Sequence, residues 1–392
     1  MTYTNLHAPA SGLDDEPREP TSTNDSGGQE SQPATEQHEC PSSSTTYDSA
    51  RQYRRRSARK IAVIAVLVGL AVCAFVVATI VGPMSLSVGD VVRGIVSPND
   101  VDETTRTVLW KLRLPASVMA VLIGAALSLA GAQMQTILDN PLAEPFTLGI
   151  SAAAAFGGAA SIVLGWVIIP HAQFNLAAVA WVSSVIAVAI VAAASVWRGS
   201  GKESMILLGI GLVFLFQALL ALLQYRATTE ALQQIVFWTM GSLQRANWTS
   251  NAIIVGALAI AIPFTVLNSW KLTALRLGDD RAAALGINVQ RLRVSTLVVS
   301  SLLAASAVAF AGVIGFIGLV GPHVARMLVG EDQRYFAPAS MAAGALLLAA
   351  AHAVSITVVP GVAVPIGIIT SLVGVPFFLI LVFVRRRTVW GS

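Results

Sequence analysis

The residues able to do chemistry in this chain are few and far apart. Glu144 is a carboxylate inside Asn140-Pro-Leu-Ala-Glu-Pro-Phe-Thr-Leu-Gly149, an interruption between apolar runs, and His352 is the main titratable group within such a run. Either would suit a proton relay, the chemistry of an ion-driven transporter. Gly199-Ser-Gly-Lys202 superficially resembles a phosphate loop, but Glu203 follows the lysine where a magnesium-binding hydroxyl belongs. Val196 also stands where the first glycine belongs, so the segment reads as a cytoplasmic turn. His38-Glu39-Cys40 strings together metal-ligating types, yet its isolation in a polar tail reads as chance. With only Cys40 and Cys73 present, neither a disulfide framework nor a metal cluster is expected. His323, between Pro322 and Arg326, reads as a structural hydrogen-bonding group. No catalytic residue and no metal ligand is assigned, and the chain reads as non-enzymatic.

Membrane helices must position these residues. Hydrophobic residues make up 55% of the chain and charged residues 12%, with mean hydropathy +0.70, which excludes an ordinary soluble domain. Apolar runs near 61–82, 116–137, 147–169, 174–197, 204–225, 251–269, 292–312, 313–329, 338–358 and 364–384 are mostly long enough to cross about 30 Å of hydrocarbon. The fold class expected is an all-α polytopic membrane protein of ten transmembrane helices with broken or re-entrant segments. Residues 1–50 are polar and expected to be a disordered cytoplasmic tail, 51–60 a basic juxtamembrane segment, and 61–387 the transmembrane domain. The first helix reads as its own insertion signal.

Orientation follows the cations. Arg51, Arg54, Arg55, Arg56, Arg59 and Lys60 precede the first helix, and Arg385, Arg386 and Arg387 follow the last. An even helix count puts both termini in the cytoplasm of a multi-pass cell-membrane protein. Lys202, Lys271, Arg276, Arg281, Arg293 and Arg326 then fall inside; Arg106, Lys111, Arg113 and Arg245 fall outside. The sequence pI of 9.3 is explained by basic flanks on anionic lipid, and nucleic acid is not an expected partner.

Two features point to transport. A bilayer accepts two prolines and a carboxylate at Asn140–Gly149 only if protein or an aqueous cavity shields the backbone. Between Asn268 and Arg293, with its centre at 270–291, a cytoplasmic connection carries Leu277-Gly-Asp-Asp-Arg-Ala-Ala-Ala-Leu-Gly286. Asp279 and Asp280 suit a helix start, and Gly286 suits its stop. The result is a short helix at the cytoplasmic face, either a docking knob or a solvated connector. Intramembrane charges are scarce, so the engine reads as lying in another subunit. Gly124, Gly131, Gly209, Gly315 and Gly318 read mainly as sites of close helix packing, with bending or gating open at Gly315, Gly318 and Pro322. Gln133 and Gln135 either line the path or bond a neighbouring helix, and Asn140 ties down the broken backbone.

The chain resembles the FecCD-type permeases of ABC importers for iron–siderophores, haem and vitamin B12 over roughly Trp110 to Arg386. The residues that carry the likeness are Arg113-Leu-Pro115, Gly131-Ala-Gln-Met-Gln135, Asn140-Pro-Leu-Ala-Glu-Pro145 and Leu148-Gly-Ile-Ser151. Further along come Trp238-Thr-Met-Gly-Ser242, Leu277–Gly286, Gly315-Phe-Ile-Gly-Leu-Val-Gly-Pro-His323-Val-Ala-Arg326, Pro365-Ile-Gly367 and Gly374-Val-Pro-Phe377. The resemblance implies two permease subunits, either two copies or paralogues, around a central path. It also implies two cytoplasmic ABC ATPase subunits that hold ATP and magnesium, and an external substrate-binding protein. This chain would bind no cofactor itself. Leu277, Gly278, Asp279, Asp280, Arg281, Ala284, Leu285 and Gly286 would couple to the ATPase. Gln133, Gln135, Asn140, Pro141, Glu144, Pro145, Gly209, Gly315, Gly318 and Pro322 would belong to the path or its gates. Arg113, with Lys111 and Arg245, would dock the binding protein.

Four positions depart from the family pattern. Ala116 stands for the second arginine of Arg-Leu-Pro-Arg, and His352 and Ile356 replace an Asp and an Arg four residues on. Ala363 replaces a Glu. The hydroxyl-rich gate between the fourth and fifth helices is replaced by Lys202-Glu203-Ser204, so no inner gate is assigned there. The function expected is the permease of an ATP-driven importer, for ferric siderophores as the commonest cargo of the resembling family. Haem and cobalamin are alternatives. A proton-coupled secondary transporter using His352 or Glu144, or a passive channel or receptor, would be the competing classes.

Overall fold

In hydrocarbon each backbone N–H must find its acceptor within the same segment, so long runs of Ala, Leu, Val and Ile fold as helices. The computed structural model describes residues 43–82, 84, 87–197, 201–359 and 361–389, with side chains at 43–50, 173 and 381–389 excluded. The reading of 1–42 as tail, the His38-Glu39-Cys40 run, and Gly199 and Ser200 of the phosphate-loop lookalike lie outside the described residues. The chain divides into units 1–52 and 53–392, and the first is described only by the opening of α1.

The helices in chain order are α1 (Ser43–Ile80), α2 (Val88–Val96), α3 (Glu103–Thr107), α4 (Leu114–Ile137), α5 (Ile150–Val163), α6 (Ala172–Trp197) and α7 (Lys202–Arg226). They continue as α8 (Thr229–Thr239), α9 (Trp248–Leu275), α10 (Asp279–Ala284), α11 (Val289–Ala311), α12 (Ile317–Val329), α13 (Gln333–Ser355) and α14 (Ile366–Val389). Among the described residues seven helices are long and apolar enough to cross a bilayer, and α5, α12 and the start of α14 are shorter apolar helices. Together they match the ten expected spans. The chain is an all-helical, multi-pass membrane protein.

Four elements differ from expectation. Helix α1 already covers 43–50, residues assigned above to the tail, because no Gly or Pro interrupts the run into the membrane helix. Helices α2, α3 and α8 fill what read as loops. Each starts on a capping side chain: Ser87 accepts from Asp90 N, Asp102 from Thr105 N, and Thr228 from Ala231 N.

Helix α4 is the centre of the bundle, buried along almost its whole length. Its small residues permit that. A Cβ on Gly124 would stand 2.3 Å from the Gly344 carbonyl oxygen of α13, and one on Gly131 only 1.8 Å from that of Gly318 in α12. Without a hydrophobic drive between helices in lipid, such close backbone approach supplies the packing energy. Helices α5 and α12, with 14 and 13 residues, span only about 20 Å each. Irregular backbone at 138–149 and 312–316 completes their crossings.

Candidate translocation path and coupling surface

The interruption after α4 is built from standard helix-ending parts. Leu138 closes the helix, Asp139 takes the left-handed conformation (φ 48°), and Asn140 N–H donates to the Gln135 carbonyl at 3.2 Å. With Asp139 N–H on Thr136 O, this is a Schellman closure. The Asn140 Oδ1 then accepts from Leu142 N–H at 2.9 Å, holding the turn that Pro141 starts. Pro145 opens a single 3₁₀ turn, Pro145–Leu148, and Gly149 (φ 81°) redirects the chain into α5. Thr147 Oγ1 donates to Glu144 O at 2.7 Å. Gly209 of α7 lets that helix lie on this turn, since a Cβ there would be 2.8 Å from Leu148 Cα. One Glu144 carboxylate oxygen, Oε2, is buried without a hydrogen-bond partner.

The sequence reading left Gln133 and Gln135 open between path and helix contact. The structure places both in helix contacts, and they line neither of the cavities beside the break. Pro322 has no N–H, so the Gly318 carbonyl one turn earlier in α12 loses its intrahelical donor. Gln135 Nε2 supplies a replacement at 3.4 Å, while its Oε1 accepts from Arg326 Nη2 at 2.9 Å. Gln133 Nε2 donates to Gln333 Oε1 at 3.1 Å. The Gln135 amide is thus bonded through both its nitrogen and its oxygen, and Gln133 through its nitrogen, with its Oε1 buried and without a partner. Gly318 and Pro322 are likewise buried packing positions, against Leu127 O, Pro145 and Glu144 in the case of Gly318.

Two cavities lie against the break. One of about 370 Å³ is lined by Asn140, Leu142, Ala143 and Thr147 with Ile206, Ile210 and Phe214 of α7. The other, of about 530 Å³, is lined by Thr239, Met240, Gly315, Gly367 and Ser371 among others. Phe146 lines both, and no charged side chain lines either. Of the expected path residues only Asn140 and Gly315 face these spaces. Phe146, Thr147, Thr239, Met240 and Ser371 were missed. Phe146 and Thr239 sit inside motifs already noted, but sequence alone does not show which way a residue in a single 3₁₀ turn or at a helix end points.

Helix α10 is stopped by a second Schellman closure, with Gly286 at φ 80° and Ile287 N–H on Ala282 O. Leu277 and Leu285 are exposed beside Asp280, Arg281 and Ala284, giving a small apolar knob with charged edges. Asp279 is turned toward the bundle, with both carboxylate oxygens 2.9 Å from Arg293 Nη2. Arg293 is buried and its Nε donates to Ile137 O at 2.9 Å. Nearby, Glu331 accepts from Arg276 and pairs with Arg326 Nε at 3.0 Å. The Arg276 hydrogen bond holds the Glu331 carboxyl below the usual glutamate range, against partial burial.

Arg113, expected to dock the binding protein, is turned into the protein. Its guanidinium is buried and donates to the carbonyls of Thr79 (3.3 Å), Ile80 (2.6 Å) and Met84, at the end of α1 and just beyond it. Those carbonyls have no helical donor, and a guanidinium fork satisfies several at once. Lys111 and Arg245 stay exposed. Ala116, His352, Ile356 and Ala363, the four departures, line one cavity of about 400 Å³ together with Arg113 and Gln244. His352 therefore sits near the start of α4, whereas Glu144 packs with Gly318 at the level of Leu127, partway along that helix.

Comparison with known proteins agrees with this architecture. The model of the FecCD transport family matches residues 67–384. The chain is 35% identical to the hemin transport system permease protein HmuU of Yersinia pestis, over 72% of this chain and 86% of that one. It is 32% identical to the molybdate import system permease protein MolB of Haemophilus influenzae, covering 82% and 96%. It is 31% identical to the vitamin B12 import system permease protein BtuC of Salmonella agona, covering 86% and 99%. Among solved structures, a metal-chelate type ABC transporter in an inward-facing conformation superposes with a TM-score of 0.73 at 32% identity, covering 82% of this chain and 98% of that one. An all-helical bundle broken at two half-length helices, with a short helix α10 in the connection between α9 and α11, is thus the ABC permease architecture, and the chain belongs to the FecCD transport family.

Proposed function

We propose that this ABC importer permease conducts ferric siderophores. The observation that carries the reading is the pair of cavities beside the break, wide and without a charged lining residue. A bare oxyanion such as molybdate would need cations or convergent N–H donors to replace its water. A metal wrapped in an organic chelator carries its own shell, and passes a weakly polar wall without a dedicated seat. Haem and cobalamin share that property and are the next candidates.

In this reading the chain pairs with a second permease subunit, and an external binding protein delivers cargo to the outer face. Two cytoplasmic ATPase subunits, which hold the ATP and magnesium, seat on the knob formed by Leu277, Asp280, Arg281 and Leu285. Both termini are cytoplasmic, and this chain contributes conduit and coupling without chemistry of its own.

The test compares cells with and without the gene for uptake of radiolabelled ferric siderophore, haemin, cobalamin and molybdate. Loss of ferric siderophore uptake alone is expected. Loss confined to any of the other three would replace siderophore as the cargo.

A further inference from the structure

We propose that Arg293 is a positioning residue that locks the coupling helix α10 to the cytoplasmic end of α4, so that α10 and the break at 138–149 move as one body. This rests on the reading of α10 as the ATPase seat. Two independent observations carry it. The first is the three-way tie already described: Asp279 of α10 on one side of the Arg293 guanidinium and the Ile137 carbonyl, the last helical one of α4, on the other. The tie is shielded on the arginine side, where the side chain is 7% exposed, while Asp279 is 49% exposed. The buried hydrogen bond to Ile137 O makes it stiffer than a wholly exposed ion pair.

The second is apolar. Leu275, Ala282 and Ile287, which flank and form the base of α10, belong to the same buried cluster as Leu138, Ala143 and Leu148 of the break. A close-packed cluster transmits displacement rather than absorbing it. A push on the exposed side of α10 therefore reaches Ala143, in the wall of the cavity of about 370 Å³, through that cluster. It does not have to pass along a transmembrane helix first. Arginine suits the post because its planar fork donates in two directions at once; a lysine is a single point and holds one partner at a time.

The experiment uses the complex purified from native membranes by a tag on this chain and placed in lipid nanodiscs. The background carries Cys40→Ser and Cys73→Ser, with Leu142→Cys in the break as the reporter. The maleimide labelling rate at that position is measured without nucleotide and after trapping with ATP and vanadate. ATPase co-purification and thermal midpoint are scored on the same samples.

In the parent the rate changes on trapping by at least about threefold, within the range of a coupling carried by a few contacts. In Arg293→Gln the ATPase still co-purifies and hydrolyses ATP, but the labelling rate no longer responds. Arg293→Lys, which keeps the charge, carries the test if the glutamine variant does not fold, and its response is reduced in the same direction. A full response in either folded variant overturns the proposal while leaving the ATPase seat intact. If no ATPase co-purifies with the parent, the seat and the lock fall together.

Discussion

Pro322, Gly318 and Gln135 show how one missing proton organises a contact between helices. The proline withholds a backbone donor, the glycine carbonyl is orphaned, and an amide from α4 takes the vacant place while also binding Arg326. Replacing Gln135 with Leu keeps the volume but strands those polar groups in the bundle. A loss of about 1–3 kcal/mol is expected, read as a lower unfolding midpoint in detergent. An unchanged midpoint would show that the amide is not what satisfies Gly318. Glycines divide by the same logic. Gly131→Ala drives a methyl into the Gly318 carbonyl and should cost on the order of 1–3 kcal/mol or block assembly. Gly211→Ala meets nothing within 4 Å and should be silent or slightly stabilising in the same assay. Glu331 adds a pH signature. Its folded pKa is held below the unfolded value, so its contribution is fully present above about pH 4.3 and is lost as pH falls through the folded value. Glu331→Gln should therefore lower stability at neutral pH and flatten the acid limb of a stability–pH curve.

At the scale of elements, the knob and the lock of α10 are separable. Leu285 is exposed on the side away from the bundle, so Leu285→Asp should weaken ATPase co-purification severalfold while leaving the unfolding midpoint close to the parent's. An equal fall in both would mean the residue is structural. Asp279→Lys is a poor probe of docking, because it sets a second cation against Arg293 and disturbs the end of α4. The outer helices teach a related lesson. Arg113 reads from sequence as an external cation free to meet a partner, yet it closes the end of α1. Arg113→Ala should lower protein level in the membrane, measured by immunoblot, rather than affinity for an external protein at equal protein level.

For the whole molecule, the pattern of cations and ten crossings predicts cytoplasmic termini. A fluorescent protein fused at the C-terminus should mature and fluoresce, and a periplasmic reporter there should stay inactive. Deleting residues 1–42 should leave uptake nearly intact, since a polar tail that cannot bury apolar surface adds little to the bundle. A correctly inserted but transport-dead deletion would refute that. The energy source is separable too. Uptake should persist when a protonophore collapses the proton gradient with ATP kept high, and stop when ATP is depleted. The reverse would favour a proton relay through His352 or Glu144.

The sequence by itself determined the number and order of crossings, the interruption at Asn140–Gly149, the short helix at 279–284 and its glycine stop. These are legible because hydrophobic length, proline and glycine act locally, through the backbone of their own segment. The capped helices α2, α3 and α8 were legible in principle, through Ser87, Asp102 and Thr228, but too short to stand out among apolar runs. Only the tertiary structure decided which way the polar residues face. Gln133, Gln135, Arg113 and Asp279 each have a free partner as far as sequence can tell, and each is consumed by a group 14 to 200 positions away. Only the fold brought the four departures at 116, 352, 356 and 363 into one cavity, and set Phe146 between two others. The reason is physical: in a low-dielectric interior a polar group goes to the partner within reach, and reach is set by how the helices pack.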